Sequence, residues 1–275
     1  MQKTMGRKNA VRLLPILVAT AFSGGARSEA TLEEVVITAQ KRQEKLHDVP
    51  ISITAISAAQ LETRGIDGVS GLNSLAPNLT FRNNASSNSV ATIAIRGSVA
   101  SQPAIWMDPP IGTYVDGVYI GKAQGGIFDV IDLERVEVLR GPQGTLFGRN
   151  TQGGAVNFVT RKPSGEFGGT LGLEVGNYGR TVGKAVIDLP KMGLFSIKFG
   201  YRKEDQDGWV KNTTPGIADF SIRDKEAFQL AARMDISNTT KADYKFDHSE
   251  SNGTPPVNSL YSLRGWAGSP AAGAL

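Results

Sequence analysis

Two textures of hydrophobic and polar positions divide the chain. From about residue 165 onward, apolar residues hold every second place. Leu171, Leu173 and Val175 do so in one run. Phe195, Ile197, Phe199 and Tyr201 do so in another, with Ser196, Lys198 and Gly200 between them. Residues 228–235 and 242–247 repeat the pattern, and residues 181–189 alternate less cleanly. A period of two is the mark of a strand with one apolar face. Each run is close to the roughly nine to eleven residues that a membrane-spanning strand needs. Short connections at 176–179 and 190–193 and a long one at 206–223 fit periplasmic turns and extracellular loops. A soluble sandwich alternates in the same way. Aromatics at the apolar places favour a barrel.

The stretch from 49 to 162 reads differently, as an α+β domain. Residues 50–56 alternate as a half-buried strand does. Ser57 is placed to cap a short helix running through Arg64 and ended by Gly65; a second short helix is expected at 70–75, stopped by Pro77. Residues 79–81 and 92–96 are expected strands, separated by a polar loop at 83–89. Asp116-Gly117 between alternating runs predicts a hairpin over 113–120. Another strand, 131–139, leads into the run Arg140-Gly141-Pro142-Gln143-Gly144-Thr145-Leu146-Phe147-Gly148-Arg149-Asn150-Thr151-Gln152-Gly153-Gly154, and 155–159 leaves it. Gly and Pro at this density mark tight turns and close strand approach.

The N-terminal residues change the picture of where the chain goes. Lys3, Arg7, Lys8 and Arg12 precede an apolar stretch at 13–22, followed by small residues with Ala26 and Ala30 as cleavage positions. This is the layout of a cleavable export signal, and it is too short to span a bilayer as a helix. No other segment is long and apolar enough for a spanning helix. Residues 31–48 form a charged linker around one β-branched island at 35–39, with no hairpin partner nearby in sequence. Two readings stand for the island. It is either a short edge strand of the following domain or a free strand that adds to a partner's sheet edge.

Composition narrows the function classes. Hydrophobic residues make up 40% of the chain, enough for a packed core, and the 32 glycines favour turns and sheets. The net charge of +4 is diffuse, with no basic stripe interleaved with aromatics, so nucleic acid is not an expected partner. The absence of cysteine excludes disulfides and thiolate chemistry. His47 and His248 are far apart in sequence, and no cluster suggests a metal site. There is no nucleophile–base pair and no phosphate loop of the G-x-x-x-x-G-K-[ST] type, so no catalytic residue is expected.

In order and spacing, five segments resemble the plug region of TonB-dependent outer-membrane receptors. They are residues 34–42, residues 48–53, Ala94-Ile95-Arg96-Gly97, Tyr114-Val115-Asp116-Gly117-Val118-Tyr119, and the Gly-rich run. The resemblance covers about 33–250. It implies an α+β plug domain at 49–162 after a linker at 31–48, followed at 163–250 by antiparallel transmembrane β-barrel strands. About five strands of an expected 22 are present, then an irregular tail at 251–275. It implies a location in the outer membrane with the plug facing the periplasm. It also implies energised uptake of a scarce ligand such as a ferric siderophore, with TonB and its inner-membrane energising complex as partner. Iron would enter only as a transported chelate, and no cofactor or bound metal is expected.

Residue by residue, the resemblance makes Val35, Val36, Ile37, Thr38 and Ala39 the TonB-binding strand. Arg96 and Arg140 become a lock between plug and barrel-wall carboxylates, and the signature glycines are structural. Outward-facing plug segments make Asn83, Asn84, Ser87, Asn88 and Trp106 candidate ligand contacts. Asp108 and Asp116 are carboxylates without a partner histidine. An open five-stranded sheet leaves an unpaired edge in hydrocarbon, so the sequence is expected to be a truncated form of a longer receptor. The second reading is a non-transporting periplasmic module that binds TonB or a ligand.

Overall fold

A computed structural model describes residues 36–37, 44–45, 49, 51–64, 66, 72–73, 76–84, 87–100, 104, 106–122 and 131–256, all within the unit Glu34–Leu275. The export signal at 1–30 and the tail beyond 256 lie outside the described residues. So does most of the helix expected at 70–75.

β1 (Val36–Ile37) pairs antiparallel with β2 (Glu44–Lys45). β3 (Ile53–Ser57) runs directly into α1 (Ala58–Thr63). Ser57 makes the switch: its Oγ accepts from Gln60 N at 3.4 Å while Gln60 Oε1 accepts from Ser57 N at 3.3 Å. This reciprocal capping box satisfies two donors that a helix start otherwise leaves open. Next come β4 (Leu79–Asn84), β5 (Ser87–Ile95) and β6 (Ser98–Val99), which form a three-stranded sheet in that order.

β7 (Ile111–Val115) and β8 (Val118–Tyr119) follow, and then β9 (Leu133–Arg140), α2 (Gly144–Phe147) and β10 (Gly154–Thr160). The central sheet has the order β3-β9-β10-β7-β8, with β10 and β7 parallel and the other pairs antiparallel. Its parallel pair is buried on both faces, as such pairs must be. Val136, Val138, Val156 and Phe158 pack on Leu61, Phe81 and Ile95 on one side, while Leu139, Ala155 and Tyr114 pack on Ile37 and Val49 on the other.

The wall follows as one antiparallel meander: β11 (Gly168–Val175), β12 (Thr181–Asp188), β13 (Phe195–Gln206), β14 (Arg223–Asp235) and β15 (Lys241–Gly253). Register aligns Ile187, Phe199, Leu230 and Phe246 in one row on one face, and Val186, Gly200, Gln229 and Asp247 in the adjacent row on the other. The first face is apolar and largely exposed; the second is polar and turned toward the α+β domain. Apolar-out, polar-in alternation is the pattern of a membrane barrel strand.

Several expectations need correction. The polar stretch 83–89 is mostly ladder, because Asn83 pairs with Ala91 and Asn84 with Ser87 across a register shift. Backbone groups seek partners whatever the side chains are, so a hydrophilic sequence extends the hairpin instead of ending it. The preceding strand stops at Ile95, since Arg96 and Gly97 sit at φ of 51° and 80° in the turn into β6. The island at 35–39 does have a hairpin partner, Glu44–Lys45. β13, β14 and β15 run to 12, 13 and 13 residues, longer than the patterned runs. Their charged ends break the apolar alternation while keeping the ladder.

The connections also sort differently from the expected short–long alternation. An antiparallel meander puts 176–180 and 207–222 at one end of the wall and 189–194 and 236–240 at the other. A short and a long connection therefore share an end: Tyr178 O accepts from Asp207 N at 2.9 Å and the Tyr178 ring meets Trp209 edge-on at 6.2 Å. Finally, the short helix α2 lies inside the Gly-rich run, where turns alone were expected.

Candidate functional site

The chemistry of this chain concentrates where the α+β domain meets the polar face of the wall. Two lysine–aspartate contacts, one buried and one half-buried, cross that boundary. Lys198, on an inward place of β13, has a side chain only 1% exposed, and its Nζ donates to Asp132 Oδ2 at 2.6 Å and to the carbonyl of Arg161. Arg161 Nη1 stands 3.7 Å from the other Asp132 oxygen. A lysine buried this far is tolerated only when paired and hydrogen-bonded.

The second crossing uses the hairpin turn. Asp116 and Gly117 have φ of 50° and 82°, the positive values that a type I′ hairpin turn requires at both central residues. The turn turns the Asp116 carboxylate back onto the sheet and the wall. Oδ1 accepts from Thr160 N at 2.8 Å, and Oδ2 accepts from Thr160 Oγ1 at 2.7 Å and Lys245 Nζ at 3.1 Å. A third, more exposed pair, Lys162–Asp243 at 3.7 Å, has the opposite polarity. Between these contacts Ile131 packs on Val186 and Ala227. Gly200 makes that possible, since a Cβ there would stand 2.8 Å from Ile131 Cγ2.

Behind the boundary lies a buried polar group within the domain. Glu137 is fully buried and accepts from Arg135 Nε at 2.8 Å and from Asn157 Nδ2 at 3.1 Å. Glu137 and Asn157 face each other directly across β9 and β10. On the other side of the domain, a cavity of about 500 Å³ separates α1 from the wall, bordered by Leu61, Glu62, Asp132, Lys184 and Arg202.

The residues expected to act fall into distinct places. Of the TonB-binding segment, Val36 and Ile37 form β1, while Val35, Thr38 and Ala39 lie outside the described residues. Ile37 is completely buried beside Val49, Tyr114, Leu139 and Ala155. Arg96 reaches the turn that follows Arg140: its Nη1 is 3.6 Å from the position a Cβ on Gly141 would take. Among the described residues neither meets a wall carboxylate, and Arg140 Nε is buried without a partner.

Asn83, Asn84, Ser87 and Asn88 lie in the β4–β5 hairpin, and Trp106 is 80% exposed. Asp108 pairs with Lys122 at 3.3 Å; the hydrogen bond from Lys122 holds its carboxyl below the ordinary value. Sequence reasoning missed Asp132, Lys198 and Lys245. Their signal was present: both lysines occupy inward places of alternating strands, where a charge next to a packed domain needs a counter-ion.

Comparison with known proteins gives this boundary a context. Residues 45–155 match the family model described as TonB-dependent Receptor Plug Domain. The chain is 34% identical over 158 residues to a pesticin receptor of Yersinia pestis, covering 55% of this chain and 23% of that protein. It is 30% identical over 156 residues to a vitamin B12 transporter of Vibrio vulnificus, covering 55% and 24%. The chain therefore spans about a quarter of the length of these curated relatives.

Among solved structures, the ferric yersiniabactin uptake receptor of Yersinia pestis is similar with a TM-score of 0.63 at 27% identity, over 73% of this chain and 31% of that one. The pyoverdine outer membrane receptor of Pseudomonas aeruginosa shares the fold, with a TM-score of 0.65 at 18% identity, over 78% and 30%.

Proposed function

The chain carries a TonB-dependent receptor plug domain joined to antiparallel strands of an outer-membrane wall, and from that premise we propose that it is the gate-bearing part of a receptor for energised uptake of a scarce ligand. The observation that carries the proposal is the pair of contacts Asp132–Lys198, buried, and Asp116–Lys245, half-buried. They hold a folded domain against the polar face of strands whose other face is apolar. A freely soluble periplasmic module would have no use for that outer face, with Leu171, Leu173, Phe199, Phe228 and Tyr244 exposed on it.

Residues 35–39 are the proposed docking strand for TonB, by addition to a sheet edge. In the resting arrangement β1 is paired with β2 and Ile37 is buried, so docking requires β1 to leave its place. Arg96 and Arg140 are proposed as a second latch, which the unsatisfied Arg140 Nε supports. The β4–β5 hairpin residues Asn83, Asn84, Ser87 and Asn88, and the exposed Trp106, are the proposed ligand contacts on the plug. Relatives named for vitamin B12 and ferric yersiniabactin agree with a small-molecule cargo and do not select one.

The test is crosslinking in cells. A photo-reactive residue at Thr38 should crosslink to TonB, and adding Val36→Pro should abolish the product while the protein still accumulates in the outer membrane. Proline removes the N–H and blocks strand addition. Undiminished crosslinking in the proline variant refutes the assignment of 35–39.

A further inference from the structure

The outer face of the wall changes character between two rows. From the row Leu171–Ala185–Tyr201–Phe228 down to Phe195 and Met234 it carries no lysine, arginine or carboxylate. The next two rows, toward the 176–180 and 207–222 end, are charged. One holds Lys203, Glu226 and Glu250 side by side, and the other holds Asp205 beside Asp224. Register thus sets like charges directly opposite each other twice, an arrangement that costs stability. Lys203 offsets only part of it, because its Nζ turns to Asp224, with Asp205 at 3.8 Å. Glu226 accepts from Tyr201 Oη at 3.1 Å, and Glu250 accepts from Asn252 Nδ2 at 2.8 Å. Among the described residues neither glutamate forms an ion pair.

A furrow opens at the same border. Its floor is Gly183 and Ala185 on β12, and its sides are Leu171 and Leu173 on β11 and Tyr201 on β13. It holds about 330 Å³. Leu171 and Leu173 are 83% and 78% exposed, and a Cβ on Gly183 would meet nothing within 4 Å, so no neighbouring side chain covers that floor. Gly183 stands in the same row as Lys203 and Glu226, so the furrow runs from the apolar rows up to the charged ones. Lipid tails are as apolar as this face, so burial alone does not choose what lies on it. Contact on three sides does, through many small dispersion terms.

We infer that the furrow and the charged rows above it form one docking site for a phospholipid with an ammonium head group. The acyl chain lies between the two leucines and Tyr201. The ammonium stands against Glu226 and Glu250; Glu226 is two strands from Gly183, about 10 Å. An ammonium donates to both glutamates and relieves their repulsion, whereas a head group of net negative charge adds to it. The inference rests on the receptor reading above, which sets this face in a membrane.

The test measures radiolabelled lipid retained by the full chain, immobilised in detergent. Phosphatidylethanolamine, phosphatidylglycerol with the same acyl chains, and lipid A are compared with and without magnesium. Phosphatidylethanolamine should be retained about fivefold or more better than phosphatidylglycerol at low salt, and the difference should shrink as salt rises. Gly183→Leu, which fills the furrow, should lower its retention about threefold or more at an unchanged melting temperature. Should that variant not accumulate, Leu171→Ala with Leu173→Ala, which removes one side of the furrow, should give the same loss. Ala232→Leu, on the same apolar face but away from the furrow, should leave retention as it was. Glu226→Gln with Glu250→Gln should erase the preference between the two head groups.

Equal retention of the two phospholipids, retention untouched by the furrow variants, or tighter retention of an anionic lipid once magnesium is added overturns the inference. None of these outcomes touches the TonB crosslink at Thr38, so failure here and failure of the receptor reading are told apart.

Discussion

Asp116 does three jobs with one side chain. It adopts a positive φ that few residues tolerate, it ties the hairpin to Thr160, and it meets Lys245 on the wall. The sequence announces the first job, because Asp-Gly between alternating runs is a turn signal that rests on local chemistry. The other two depend on a threonine and a lysine far along the chain, and no local pattern joins them. Asp116→Ala should therefore destabilise the protein by about 1–3 kcal/mol, since it leaves the Thr160 N–H and hydroxyl unpaired and removes one of the two carboxylates beside the half-buried Lys245. Asp116→Asn should cost less, about 1 kcal/mol, because asparagine accepts the turn and one or both threonine bonds. Thermal unfolding of the detergent-solubilised protein measures both, and equal losses would place the effect in the turn alone.

At the scale of elements, what local chemistry dictates was legible and what pairing dictates was not. The capping box at Ser57, the hairpin at 113–120 and the wall runs could be read because each rests on neighbours in sequence. The strands through 83–89 could not, because their ladder is set by a partner strand and their side chains carry no apolar signal. Nor could the buried state of Ile37, which follows from Val49, Tyr114 and Leu139 arriving from elsewhere.

The connection 207–222 shows how such an element is held at its middle. Asp219 accepts from Lys211 Nζ at 2.5 Å and from Asn212 N at 3.0 Å, and the Lys211 hydrogen bond, then that of Asn212, keeps its carboxyl below its ordinary 3.8. A depressed carboxyl stabilises the loop above its unfolded value, and the contribution is lost as pH falls through the depressed value. The loop should be pinned at neutral pH and loosen in acid below 3.8, with Asp219→Asn loose throughout. Limited proteolysis across this pH range reads it. Because the pair is exposed, added salt should mimic part of the acid effect.

Over the whole molecule, the two latches decide how domain and wall act together. Lys198→Met leaves Asp132 buried with a distant arginine, and should lower stability by about 3–5 kcal/mol. Lys198→Met combined with Asp132→Asn should recover most of that loss, since asparagine removes the unpaired charge from the boundary and tolerates the positive φ of 58° at this position. Melting temperatures of the two variants check this; a double variant as unstable as the single one would mean that the ion pair is not what holds the faces together.

The topology has a mechanical consequence. The latches grip the start of β9 and the turn after β7, whereas β3 itself carries none of them and is an edge strand bonded along one side to β9. Tension applied at the N-terminal end loads β1 first, across a two-residue ladder, and then β3 from its free end. Antiparallel rungs loaded at one end open in succession, like a zipper, instead of shearing together. The domain is thus built to yield strand by strand under a small sustained load while its remainder stays bolted to the wall.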